Sequence, residues 1–142
     1  MRDPHLHDVV LHRDPASLPP DATVRDACAA MRERGIGSIL VAGADGRLLG
    51  IFTGRDAVCR VLAEGRDPSR LTLAEAMTPN PATLTPDAGA IDALRLMQDG
   101  GFRHVPVVAD TGRCVGVVSR GDFRALHHAR LVEETQIFEV LR

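Results

Sequence analysis

The sequence predicts a mixed α/β protein (α+β-like in its segregation) made of two copies of one small unit, packed sheet to sheet about a pseudo-twofold axis. Three observations predict it. The stretch Gly50-Ile51-Phe52-Thr53-Gly54-Arg55-Asp56 returns sixty-six positions later as Gly116-Val117-Val118-Ser119-Arg120-Gly121-Asp122, keeping a glycine, two apolar residues, a hydroxyl and an aspartate three residues beyond it. Under the same offset Pro15, Leu18, Asp21, Ala27, Met31, Gly35, Val41 and Gly46 also meet identical residues, without insertion or deletion, which marks duplicated structural units. Each copy alternates strand-like and helix-like patterning in the order strand, helix, strand, strand, helix. A helix joining two strands implies parallel pairing, and a unit this small buries too little surface to stand comfortably alone.

In order along the chain, residues 1–8 are polar and read as a loose lead-in. Repeat 1 is placed at 9–65. A short apolar run, Val9 to Leu11, precedes Asp14-Pro15-Ala16-Ser17-Leu18-Pro19-Pro20, whose prolines end regular structure. Asp21 is the expected N-cap of a helix from about Ala22 to Arg34, with Val24, Ala27, Cys28 and Met31 on one face and Gly35 at its end. Gly37 to Ala42 reads as a buried strand, Gly43-Ala44-Asp45-Gly46 as a hairpin turn and Arg47 to Phe52 as the second strand. A helix after Thr53 places Ala57, Val58, Val61 and Leu62 on one face and stops at Gly65. Residues 66–72 read as a linker, 73–128 as repeat 2, opening on a short apolar turn at 73–77, and 129–142 as a helical tail with a broad apolar share.

Composition narrows the function. The 142 residues are 44% apolar and 25% charged with a formal net charge of −2, ordinary for a globular domain and without the basic footprint of a nucleic-acid or acidic-membrane binder. Trp and Tyr are absent and Phe numbers four, which removes most stacking platforms for single strands. Cys28, Cys59 and Cys114 form no CxxC pair and read as core residues in a reducing compartment. No apolar leader or bilayer-length run is present, so a cytoplasmic location is expected.

The two Gly-h-h-Ser/Thr-x-x-Asp turns carry the chemistry. Each reads as the end of a strand entering the first turn of a helix, where unpaired backbone amides and the helix dipole suit a phosphate. The hydroxyl adds a donor, and the carboxylate can accept both hydroxyls of a ribose diol. The same residues also read as a capping box, in which hydroxyl and carboxylate satisfy the helix's own amides.

With Pro20-Asp21-Ala22 and Pro86-Asp87-Ala88 before the first helices, Gly101-Phe102-Arg103-His104-Val105-Pro106-Val107-Val108 as the second-repeat strand, and the two aspartate turns, the chain resembles a stand-alone pair of cystathionine-β-synthase-type (CBS) domains, a Bateman module, from about Val9 to His128. That resemblance implies binding of an adenosine-containing ligand, AMP, ADP, ATP or S-adenosylmethionine, in clefts between the repeats. It implies that Asp56 and Asp122 hold ribose hydroxyls and that Thr53 and Ser119 reach the phosphate or its equivalent. It further implies that Ser38-Ile39 and His104-Val105-Pro106 meet the adenine. Arg55 and Arg120 are phosphate partners by charge. They do not align (Arg55 meets Gly121, Arg120 meets Gly54), so the two sites are expected to differ.

No catalytic constellation accompanies these turns: the aspartates stand in identical contexts and neither hydroxyl has a His at a recognisable spacing. His5, His7 and His12 read as a solvated lead-in, and the adjacent His127 and His128 point to different sides of a helix, so no metal site is expected. The expected function is therefore a non-enzymatic regulatory sensor that requires no cofactor. The resemblance adds a homodimer, and the missing effector domain adds a protein partner the sequence does not name. The alternative is an interaction scaffold with vestigial clefts, its turns kept as caps. A nucleotide hydrolase or transferase is a third class, without a catalytic group to carry it.

Overall fold

A computed structural model describes residues 4–10 and 15–123. The elements run α1 (Leu6–Val10), β1 (Ser17–Leu18), α2 (Val24–Arg34), β2 (Ser38–Ala42), β3 (Leu48–Thr53), α3 (Gly54–Asp56) continuing as a π-helical stretch Ala57–Leu62, α4 (Leu73–Ala76), β4 (Thr78–Pro79), α5 (Ala90–Gly100), β5 (His104–Val108), β6 (Cys114–Ser119) and a 3-10 turn Arg120–Phe123. One sheet has the order β1-β2-β3-β4 and the other pairs β5 with β6.

The duplication is reproduced residue by residue. In β2 and β3, Ser38 pairs with Thr53, Ile39 with Phe52, Leu40 with Ile51 and Val41 with Gly50. Then a bulge intervenes before Ala42 and Leu48. In β5 and β6 the pairs are His104 with Ser119, Val105 with Val118, Pro106 with Val117 and Val107 with Gly116, with the bulge at the same place. Side chains alternate along these strands. Ile39, Val41 and Phe52 enter one core with Val24, Ala27 and Met31 of α2, and Val105, Val107 and Val118 enter a second with Ala90, Ala93 and Met97 of α5. Leu40 and Pro106, on the opposite faces, are also fully buried. A strand buried on both faces reads as a continuous apolar run, as Ile39 to Ala42 does.

The proline that distinguishes the repeats has a visible consequence. Leu40 N–H donates to the Ala16 carbonyl at 2.9 Å, which extends the parallel pairing of β1 with β2. Its counterpart Pro106 has no N–H, and the equivalent contact shrinks to a single bridge between Leu84 and Val107.

Several elements depart from the sequence reading. The lead-in is not loose: α1 buries Leu6 and Val10 in the core of the second repeat. The first strand lies at Ser17–Leu18, inside the proline segment, because Pro15 and Pro19 flank the two paired residues and leave their own N–H groups intact. The N-cap of α2 is Thr23, not Asp21. Thr23 Oγ1 accepts from Asp26 N–H at 3.1 Å while Asp26 Oδ2 accepts from Thr23 N–H at 3.3 Å, a reciprocal pair that Asp21, with Val24 three residues on, is unable to form. After Thr53 the helix is three α residues and then a π stretch. Its wider turn breaks the expected apolar face, so Val61 is buried while Val58 and Leu62 are 56% and 74% exposed. The helix after Phe123 and the tail at 129–142 lie outside the described residues.

Packing crosses the sequence order. Leu73 N–H donates to Ala22 O, Ala74 N–H to Pro20 O and Val24 N–H to Leu71 O, so α4, which precedes the second repeat, closes over the first. Leu6 N–H to Ala88 O, His7 N–H to Pro86 O and Ala90 N–H to Pro4 O are the matching bonds by which α1 closes over the second. Each repeat is thus capped by the segment that precedes the other one, and this interlock holds the aspartate turns beside the opposite repeat.

Candidate ligand-binding clefts

Thr53 ends β3 in extended conformation and caps the turn that follows. Its N–H donates to Asp56 Oδ2 at 2.9 Å, its hydroxyl to the same oxygen at 3.1 Å, and Asp56 N–H returns to Thr53 Oγ1 at 3.3 Å. The other carboxylate oxygen, Oδ1, accepts from Thr78 Oγ1 at 3.1 Å and lies 3.5 Å from Arg60 Nε. Asp56 is 8% exposed. In the second repeat Ser119 N–H donates to Asp122 Oδ2 at 2.7 Å and Ser119 Oγ lies 3.3 Å from that oxygen. The capping reading of both turns therefore describes the bonds present. In both turns these bonds fix Oδ2 and orient the carboxylate, and at Asp56 the other oxygen is shared with Thr78 and Arg60.

Two clefts meet these turns, and each is built from both repeats. One has a volume of about 830 Å³ and sets Ile51, Thr53, Arg55 and Asp56 against Pro81, Ala82, Phe102, Arg103 and His104. The other, about 500 Å³, sets Val117, Ser119 and Asp122 against Pro15, Ala16, Ile36, Gly37 and Ser38. Much of the two linings is related by the repeat offset, with Pro15 matching Pro81, Ile36 matching Phe102 and Ser38 matching His104. Gly37 and His104 line both clefts and form the wall between them.

Of the residues singled out in the sequence, Thr53, Arg55, Asp56 and His104 come together in the larger cleft, and Ser38, Ser119 and Asp122 in the smaller, where His104 also appears. Ile39, Val105 and Pro106 are buried behind the walls and do not line them, and Arg120 is exposed and outside the smaller cleft's lining. Burial holds the His104 pKa below its ordinary value. The Asp122 charge opposes that shift and Arg103 reinforces it.

Arg60, Thr78, Arg103 and Arg34 also line the clefts and were not legible as site residues. Arg60 carried a signal, standing four residues after Asp56. Thr78 carried none, because it reaches Asp56 through the pairing of β4 with β3, Ile51 opposite Thr78.

Comparison with known proteins fixes the family. The CBS domain family matches the chain twice, over residues 6–62 and 73–128. The chain belongs to the CBS domain family. An uncharacterised protein of Methanopyrus kandleri is 33% identical over 113 residues, 80% of this chain and 58% of the relative, so the chain spans less than two thirds of that relative's length. Among solved structures, a CBS-domain containing protein of Agrobacterium tumefaciens is 31% identical with a TM-score of 0.76, covering 87% of this chain and 98% of that one. A CBS domain protein of Pyrobaculum aerophilum complexed with AMP is 26% identical with a TM-score of 0.77, covering 85% and 91%. Tandem CBS repeats packed sheet to sheet are thus the fold. Among the described residues no helix is long and apolar enough to cross a membrane.

Proposed function

We propose that this CBS pair is a regulatory module that binds adenosine-containing ligands in its two clefts and, through them, changes its association with a partner protein. One observation carries the reading: each cleft joins the aspartate turn of one repeat to the strand edge of the other. A ligand seated there touches both repeats and so bears on how they sit together, and only a ligand that binds two arrangements unequally shifts them. The AMP complex of the Pyrobaculum aerophilum relative supports adenosine as the ligand class.

In this proposal Asp56 and Asp122 accept the ribose hydroxyls, with Oδ2 held by the Thr53 and Ser119 amides. Thr53, Ser119 and the exposed Arg55 face the 5′ substituent, Arg120 standing outside the smaller cleft's lining, and Ser38 and His104, backed by buried Ile39, Val105 and Pro106, face the base. The hydroxyls and carboxylates of the turns are engaged with one another, which suits holding a ligand better than turning one over. Exposed Val58 and Leu62 offer an apolar face for a homodimer, and a cytoplasmic effector protein completes the proposal.

Isothermal titration of the purified chain with AMP, ATP and S-adenosylmethionine tests it. Saturable binding with one or two ligands per chain is expected. Replacing either aspartate by Ala should weaken its cleft by about 10- to 150-fold, the worth of a charge-assisted hydrogen-bond pair. Silence from folded, ligand-free protein favours the scaffold reading, in which the turns serve only as caps.

A further inference from the structure

The two clefts share a design and differ in charge. Among the described residues the Asp56 cleft is walled by three arginines, Arg55, Arg60 and Arg103, and the Asp122 cleft by Arg34. The repeat offset shows where the difference arises: Arg55 falls on Gly121 and Arg103 on Gly37, so two guanidinium positions of one cleft have no side chain in the other. The second of these is crowded as well as empty of charge. A Cβ on Gly37 would stand 3.3 Å from His104 Nε2, so the imidazole occupies the space a longer side chain would need.

The three arginines do different work. Arg60 is committed to the protein, with Nε 3.5 Å from Asp56 Oδ1 and an NH1 donating to the Met77 carbonyl at 2.9 Å, and it offsets the charge of Asp56. Arg55 and Arg103 are exposed on the cleft wall, one from each repeat, and their charge is in excess of what the described carboxylates of that wall balance. Guanidinium groups approaching from two sides suit an extended polyanion, since each can fork onto separate phosphate oxygens. The greater volume of this cleft, about 830 Å³ against about 500 Å³, leaves room for such a chain.

Resting on the adenosine reading above, we infer that the Asp56 cleft is the one that selects nucleoside polyphosphates, through Arg55 and Arg103, while the Asp122 cleft takes an adenosine compound whose 5′ substituent carries less negative charge. The two clefts then report on two different ligands and are not duplicate sites.

Titration of the full chain with adenosine, AMP and ATP at fixed salt tests this, using wild type, the double variant Arg55→Gln/Arg103→Gln and the single variant Arg34→Gln. In wild type the tighter ATP site should exceed adenosine in affinity. The double variant should lose about 10-fold or more for ATP, with adenosine changed less than about twofold. Arg34→Gln should leave the tighter ATP site within about twofold. Retained adenosine binding shows that the double variant is folded. Equal losses for ATP and adenosine, or ATP affinity lost in Arg34→Gln and kept in the double variant, overturn the assignment of charge selectivity alone. No binding of any of the three by wild type overturns the adenosine reading and this inference with it.

Discussion

Arg47 and Arg113, the same position of the two repeats, face each other across an antiparallel bridge. Leu48 N–H donates to the Gly112 carbonyl and Cys114 N–H to the Gly46 carbonyl, both at 3.1 Å, so each bond is the image of the other. The pseudo-twofold axis passes between these arginines. Gly46 and Gly112 turn there with φ of 81° and 90°, where a side chain would be strained. A Cβ on Gly46 would meet Arg113 Nε at 3.1 Å and one on Gly112 would meet Arg47 Nε at 3.2 Å, which puts each guanidinium over the other repeat's turn.

Like charges directly opposite on paired strands are destabilising. Arg113→Glu should therefore raise stability by about 0.2–1 kcal/mol in low-salt urea unfolding. The gain should fade toward 1 M salt, where the screening length is about 3 Å. A variant no more stable than wild type at low salt would show that the two guanidinium groups do not feel each other.

Gly50 and Gly116 answer each other in the same way. A Cβ on Gly116 would lie 3.0 Å from Val10 Cβ in α1, and one on Gly50 would lie 2.8 Å from the Thr78 carbonyl and 2.5 Å from Met77 Sδ. Each glycine admits the segment that closes its repeat. Gly116→Ala should cost about 1–3 kcal/mol, as an overpacked core site does. It should also speed hydrogen exchange at the Leu6 amide, which donates to Ala88 O at 2.8 Å. Unchanged exchange at Leu6 would mean that α1 is seated by other contacts.

What the sequence made legible was whatever the duplication stated twice. The hairpins and the glycine ends of α2 and α5 follow from Val41 meeting Val107, Gly46 meeting Gly112 and Gly35 meeting Gly101. Contacts that join distant segments were not legible. Leu6 looks like part of a polar lead-in and Val10 like part of a short apolar run of the first repeat, because their apolar partners, Ala90 and Ala93 among them, come some eighty residues later. The clefts between the repeats were expected, but their pairing was not: the carboxylate of each comes from one repeat and the strand edge from the other. Thr23, by contrast, carried a readable signal in Asp26 three residues on, which the nearer Asp21 obscured.

His104 makes stability depend on pH. Burial lowers its folded pKa below the ordinary 6.5, Asp122 acting against the shift. Between the folded and the ordinary value the unfolded chain binds more protons, so its contribution is fully present above about 6.5 and is lost as pH falls through the folded value. His104→Gln should flatten that part of the stability profile. Asp122→Asn should lower the His104 pKa further, and Arg103→Gln should raise it, both read from imidazole NMR titration. An upward shift in Asp122→Asn would mean that the carboxylate does not act on the imidazole as placed.

Asp56 ties three segments together: its Oδ2 holds the Thr53 amide at the end of β3, and its Oδ1 holds Thr78 on β4. Because the group is 8% exposed, removing it leaves the Thr53 amide and the Thr78 hydroxyl short of their acceptor. Asp56→Ala should cost about 2–4 kcal/mol, a cap and a charge-assisted hydrogen bond together. The Arg60 pair adds little, since the Arg60 side chain is 47% exposed. Thr78→Val should cost about 1–2 kcal/mol. If the two act through one bond, the double variant should lose less than the sum, with a coupling of about 0.5–3 kcal/mol from a double-mutant cycle in urea. Strict additivity would break the link between the aspartate turn and β4. The same cycle separates structure from binding, because a Thr78→Val protein keeps the carboxylate and frees Oδ1 for a ribose hydroxyl. It should bind adenosine at least as tightly as wild type, whereas Asp56→Ala should weaken that cleft by about 10- to 150-fold.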